Sequence, residues 1–235
     1  DAAHQAGAKA LLSLDGGPSA LDANIQETAK MLAQTVKESG YDGLFLDIPQ
    51  LKGEKKRDMT QLTKALAAEL GVLSLYLVAE APTWAGKAYD GYDYEELARA
   101  ADHLVLRVGS YESHDDGFST APVSPLEEVY YALALLQDGI DTSKLTLLLD
   151  TAPSVWDSSG RQRTLSAEEL GELMASGEQH YSTRYACAYL TGSGQDGSEL
   201  VAWYLDQEAI QTRKNLAQAF DVGQLCLTDW NAVVK

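Results

Sequence analysis

Five carboxylates stand where an apolar run gives way to polar residues: Asp15, Asp47, Glu80, Asp150 and Asp229. If those runs are parallel strands closing into a barrel, their C-terminal ends form the face that carries active sites. Carboxylates converging there raise one another's pKa values and can make an acid–base pair or a cation site. Taken singly, each is a turn-starting residue, or the partner of Arg107 or a nearby Lys. The densest stretch is Tyr41-Asp42-Gly43-Leu44-Phe45-Leu46-Asp47-Ile48-Pro49, which reads as a buried strand. Alternation puts Phe45, Asp47 and Pro49 on one face and Asp42, Leu44, Leu46 and Ile48 on the other. Pro49 therefore stands where a strand-end side chain would reach toward a substrate, and proline has no proton to give.

Aromatic residues supply the second chemical feature. Trp84, Trp156 and Trp230 each follow a predicted strand, with Tyr89, Tyr92, Tyr94 and Tyr111 nearby. Sugar rings present flat C–H faces that stack on such side chains, and packing beneath loops is the competing role. His4, His103, His114 and His180 show no metal-ligand spacing and no adjacent nucleophile. His103 falls at a strand start, on the stabilising face of a barrel; His114 falls in a loop after one. Cys187 and Cys226 read as free thiols, with one long-range disulfide as the alternative. No phosphate-binding loop is present, because Gly194-Gln195-Asp196-Gly197 joins two strands instead of leading into a helix. No cofactor signature is found.

Composition excludes several partners. The chain has 235 residues, 18 of them basic and 35 acidic, for a formal net charge of −17. Such a surface repels nucleic acid and anionic membranes. No apolar run reaches the roughly 18 residues that a membrane-spanning helix needs. With 45% hydrophobic residues the chain is an ordinary globular one, near the roughly 250 residues of a single α/β barrel. It begins at Asp1 with neither Met nor a signal-like apolar segment, so an excised or processed piece is expected.

The elements that must position these residues alternate between strand and helix, as in parallel βαβ units. Strands are predicted at residues 8–14, 43–48, 72–79, 103–108, 144–149 and 224–228, and helices at 24–39, 57–70, 94–101, 126–137, 166–176 and 207–220. Ser166 with Glu169 has capping-box spacing. Residues 184–190 and 200–205 read as a hairpin interrupting the rhythm. The count is six core strands in one domain spanning 1–235, with an inserted hairpin within 178–205.

The run from Asp42 to Pro49 resembles the signature strand of glycoside hydrolase family 18, Asp-Gly-x-Asp/Asn-x-Asp-x-Glu. Asp42, Gly43 and Asp47 match; Phe45 stands at the Asp/Asn position and Pro49 at that of the catalytic Glu. Leu12-Ser13-Leu14-Asp15-Gly16-Gly17 is similar to the Ser-x-Gly-Gly segment of the family's third strand. Tyr111-Glu112-Ser113-His114 resembles its Tyr-Asp-x-His, and Ala202-Trp203-Tyr204 with Leu227-Thr228-Asp229-Trp230 its closing segment. The likeness lies toward the chitinases and the spore-cortex or peptidoglycan glucosaminidases. It implies a (β/α)8 TIM barrel of which strands three to eight are present here.

It also implies substrate-assisted hydrolysis, in which a Glu protonates the glycosidic oxygen and an Asp orients the acetamido group. Asp47 takes the orienting position, and Tyr111, Glu112 and Trp230 join it as ligand-binding residues. With Pro49 at the acid position, the implied function is a catalytically degenerate domain binding N-acetylglucosamine-containing glycans outside the cell or in its envelope. An active glycosidase with a relocated acid, such as Glu80, Glu112 or Glu54, is the competing expectation. A structural or protein-binding domain is the third.

Overall fold

The structure, a computed structural model, describes residues 2–84, 89–109, 120–194, 197–230 and 233. Six strands form one sheet in the order β1 (Leu11–Asp15), β2 (Gly43–Asp47), β3 (Ser74–Glu80), β4 (His103–Val108), β5 (Leu145–Leu149) and β11 (Gln224–Leu227). The first five follow chain order, as expected of successive βαβ units. The chain divides into two compact units, Asp1–Glu80 with Ala88–Leu106 and Leu136–Thr146, and Ala81–Lys87 with Arg107–Leu135 and Leu147–Lys235.

In the first unit β1, β2 and β3 pair in parallel. Leu44, Leu46 and Ile48 are buried along one face of β2, and Leu75 and Leu77 continue that layer on β3. Helix α2 (Ile25–Ser39) starts because the Asn24 side chain accepts from the Gln26 and Glu27 N–H groups. It stops at Gly40, whose φ of 71° is the left-handed end glycine favours. Ala29, Ala33 and Val36 make its buried stripe; Met59, Leu62 and Leu66 do the same for α3 (Lys56–Leu70). Gly43 has a packing reason: a Cβ there would lie 2.1 Å from the Ser74 carbonyl oxygen. At the start of β4, His103 stacks on Tyr76 of β3 with ring centroids 4.5 Å apart.

The second unit holds an antiparallel sheet larger than the predicted hairpin. Its order is β7 (Gln162–Thr164), β6 (Ser154–Asp157), β10 (Glu199–Tyr204), β9 (Cys187–Ser193) and β8 (Glu178–Ser182). The expected hairpin is present as β9 and β10, with three further strands beside it. β7 and β8 escaped notice because their residues are nearly all exposed and polar, leaving no apolar alternation to detect. Residues 183–186 form the turn between β8 and β9, so 184–186, predicted as strand, are turn instead, and Ala186 takes a φ of 45°. One sheet face packs Val155, Leu190, Ala202 and Tyr204 against Leu170, Leu173 and Met174 of α6 (Ala167–Ser176). Ser166 and Glu169 close the capping box read from the sequence.

Candidate functional site

Asp47 is the last residue of β2 and is only 7% exposed, although it is a carboxylate. Parallel register sets it beside Asp15 on β1 and Val78 on β3. Glu80, two residues past Val78 and half-buried, shares that sheet face and end. Asp15, Asp47 and Glu80 are thus brought to one edge of the first unit, as their strand-end positions predicted. Among the described residues no group of three or more His, Cys, Asp or Glu side chains is arranged to hold a metal ion.

The backbone after Asp47 turns sharply. Pro49 is half-buried, and Gln50 adopts a φ of 59°, an uncommon conformation outside glycine. Buried Tyr92 secures the turn: its hydroxyl donates to the Ile48 carbonyl at 2.8 Å and accepts from the Leu51 N–H at 3.5 Å. Tyr94 similarly donates to the Glu80 carbonyl at 2.9 Å. Burial, helped by the Glu80 charge, pushes the Tyr94 hydroxyl well above its ordinary pKa, so it stays a neutral donor. The site in this unit is a carboxylate edge on a pinned backbone. It can accept hydrogen bonds and balance positive charge, and the segment Asp47–Gln50 offers no other ionisable side chain.

In the second unit, the Asp150 side chain and the Asp229 backbone are built into the framework. The Asp150 carboxylate accepts from the Ala152 N–H at 3.0 Å and the Thr228 hydroxyl at 3.3 Å. The Thr151 hydroxyl donates to the Asp229 carbonyl and accepts from the Asp229 N–H. Ser124 donates to the Val108 carbonyl and accepts from the Asp150 N–H, joining the ends of β4 and β5. The side chains of Asp150, Thr151, Ser124 and Thr228 start and brace turns, the role short polar side chains take at strand ends.

Arg213, on α7 (Gln207–Ala219), was not anticipated. It is fully buried and donates to the carbonyls of Ser124, Ala186, Ala209 and Tyr185. Nothing in the local sequence Gln211-Thr212-Arg213-Lys214 separates it from a surface arginine. Arg161 and Arg163 edge a cavity of about 550 Å³, but each is already paired, with Asp157 and Glu169 respectively.

The three strand-following tryptophans part company. Trp156 is a residue of β6 itself, 1% exposed, and its indole N–H has no hydrogen-bond partner among the described residues. It belongs to the packed interior. Trp230 is 71% exposed and edges a cavity of about 610 Å³ with Ile210, Gln211 and Lys214 of α7 and Leu225 and Leu227 of β11. Trp84 is 66% exposed. Trp203, on β10, is buried and donates through its indole to the Thr120 hydroxyl at 3.2 Å. Tyr111, Glu112 and His114 lie outside the described residues. Both cysteines are free thiols; burial pushes Cys187 up to about 11, which removes it as a nucleophile near neutral pH.

The profile of glycosyl hydrolases family 18 matches residues 2–221, and the chain belongs to that family. Solved structures agree on the fold. A Bacillus subtilis protein described as a sporulation-specific glycosylase superimposes with a TM-score of 0.83 at 15% identity, covering 96% of this chain and 82% of its own. A chitinase from Chromobacterium violaceum gives 0.83 at 16% identity, with 99% and 78% covered. The spore cortex-lytic enzyme SleL of Bacillus megaterium gives 0.76 at 15% identity, with 94% of this chain but 56% of SleL covered. No curated protein sequence matches the chain. The fold is the α/β barrel architecture of family 18, represented here by six core strands.

Proposed function

We propose that this chain is a catalytically degenerate family 18 domain that binds N-acetylglucosamine-containing glycans of the peptidoglycan or chitin type. The observation that carries the reading is the end of β2. A buried carboxylate is kept at Asp47, while the side chain two residues on, where the family resemblance places the catalytic acid, is Pro49. Asp47 can still orient an acetamido N–H, which is the binding half of the family's chemistry. General-acid catalysis contributes a factor of about 10²–10⁴, and proline supplies none of it. The solved relatives described as a chitinase and a spore cortex-lytic enzyme support the glycan class and an extracellular or envelope setting.

A second reading has one supporting observation: Glu80 ends the neighbouring strand on the same face as Asp47, so a relocated acid has a candidate there. Glu112 is the other. The two readings separate in one experiment. Chitotetraose and a muropeptide disaccharide are each titrated calorimetrically into the chain, and reducing ends are followed in the same samples. Binding without release of reducing ends supports the degenerate domain. Turnover abolished by Glu80→Gln or Glu112→Gln supports the enzyme. No binding at millimolar ligand leaves a structural or protein-binding role.

A further inference from the structure

Trp84 combines a solvent-facing indole with a backbone that is held unusually firmly. It lies four residues beyond the end of β3, and its backbone N–H donates to Glu128 Oε2 at 2.7 Å. Glu128 occupies the first turn of α5 (Leu126–Leu136) and is only 2% exposed. Burying a carboxylate is costly unless it is well hydrogen-bonded, and a bond of this length to an anion is among the stronger kinds. The segment is fixed at its other end as well, where buried Ala81 donates from its backbone to the Arg107 carbonyl at 2.9 Å. The chain from Ala81 to Trp84 is therefore anchored on both sides while the largest apolar side chain it carries stays in water.

Packing alone does not account for this arrangement. A tryptophan buries about 150–250 Å² when it folds inward, so a segment placed for stability would turn the indole toward the core. Here a buried carboxylate holds a backbone whose side chain stays about two-thirds exposed. Rigid aromatic surfaces that lose little freedom on binding are what ring-stacking sites use. The indole face fits the C–H face of a pyranose, and the chain's net charge of −17 favours a neutral sugar over an anionic one.

We propose that Trp84 is a stacking platform for a pyranose ring and that Glu128 is the positioning residue that fixes it. The inference rests on the glycan-binding reading above. It adds a contact that the signature strand does not contain and a buried residue that no motif marks.

The test is a titration of the full chain and its variants with chitotetraose, read by calorimetry and by ¹⁹F NMR of protein labelled with 5-fluorotryptophan. The Trp84 resonance is the one missing from Trp84→Phe. That resonance is expected to shift with ligand, Trp84→Ala to weaken binding at least about fivefold, and Trp84→Phe to bind within about threefold of the parent, as burial of a partial aromatic face implies. Glu128→Leu is expected to keep Trp84 but weaken binding and broaden its resonance. Should that variant not fold, Glu128→Gln, which retains an acceptor, is expected to bind more weakly than the parent and more tightly than Trp84→Ala. Equal affinity of the parent and Trp84→Ala, both folded by circular dichroism, overturns the inference and leaves the glycan reading standing. A parent that binds no chitotetraose at millimolar concentration overturns both. Unchanged affinity in the Glu128 variants removes Glu128 from the proposal.

Discussion

Asp15 and Asp47 are direct partners in the parallel register of β1 and β2, yet Asp15 is exposed and Asp47 is buried. The Gly16 N–H donates to the Asp47 carbonyl at 2.9 Å, so the two strand ends are joined through the backbone just beyond this pair. A carboxylate kept buried at a strand end is one whose desolvation the fold opposes by specific contacts. The same residue sits where the family resemblance places the acetamido-orienting Asp.

Asp47→Asn is expected to weaken chitotetraose binding by about 5–150-fold, the loss of one charge-assisted hydrogen bond at about 1–3 kcal/mol. The parent is expected to release no reducing ends, and Pro49→Glu alone is not expected to restore full turnover. Phe45 still displaces a polar member of the signature, and a glutamate at position 49 would precede a residue in left-handed backbone, Gln50. Turnover by the parent at ordinary glycosidase rates would remove this account.

Gly43→Ala is expected to destabilise the chain by about 1–3 kcal/mol, the usual range for forcing atoms into a close-packed site. The added Cβ would meet the Ser74 oxygen at 2.1 Å and the Ser74 nitrogen at 2.9 Å, both backbone atoms of the adjoining strand segment. Relief requires β2 and β3 to part. Urea denaturation of the variant beside the parent measures the cost, and an unchanged midpoint would show that the sheet yields without penalty.

The parallel sheet was legible because its strands are apolar runs and its helices carry stripes. Ala29, Ala33 and Val36 recur at helical spacing, and Asn24 and Gly40 punctuate the ends. Ser166 and Glu169 announced α6 by chemistry alone. The antiparallel sheet was half legible: Glu178–Ser182 and Gln162–Thr164 contain no apolar alternation because both of their faces are almost wholly exposed. Of the candidate site, the carboxylates of the first unit were readable from their positions after strands. Trp156 was misplaced because Ser154–Asp157 is itself a strand, which made a core residue look like one following the preceding strand. Arg213 and Glu128 were invisible, since a buried charge on a helix has the same letter as an exposed one.

Arg213→Met is expected to cost roughly 3 kcal/mol or more, since each buried acceptor left unmatched costs about 1–3 kcal/mol. The guanidinium holds the carbonyls of Ser124 at 2.7 Å and Ala186 at 2.6 Å, and those residues have φ values of 40° and 45°. Left-handed backbone at a non-glycine residue costs about 1–3 kcal/mol and persists only where its surroundings impose it. Arg213 supplies that constraint at two sites at once. Arg213→Lys keeps the charge but loses the planar fork, so an intermediate loss is expected. Chemical denaturation of the three proteins gives the order, and a lysine variant as stable as the parent would show that charge alone suffices.

Stability is expected to decline as the pH falls below about 6.5, the ordinary histidine value, with His103 as one identifiable source. Burial against Tyr76 lowers its pKa; Asp102 opposes that shift, while Lys9 and Lys144 add to it. The folded chain therefore favours neutral His103, and the unfolded chain binds more protons in the window just below pH 6.5. By linkage this contribution is complete above that value and is lost as the pH drops toward the lowered folded-state pKa. His103→Phe keeps a ring on Tyr76 and removes the titration. Urea midpoints at pH 7.5 and 5.5 should lie closer together in the variant than in the parent, because every other titrating group is common to both. Equal separations in the two proteins would show that the imidazole is solvated well enough to protonate in place, and that the Tyr76 stack confers no pH dependence.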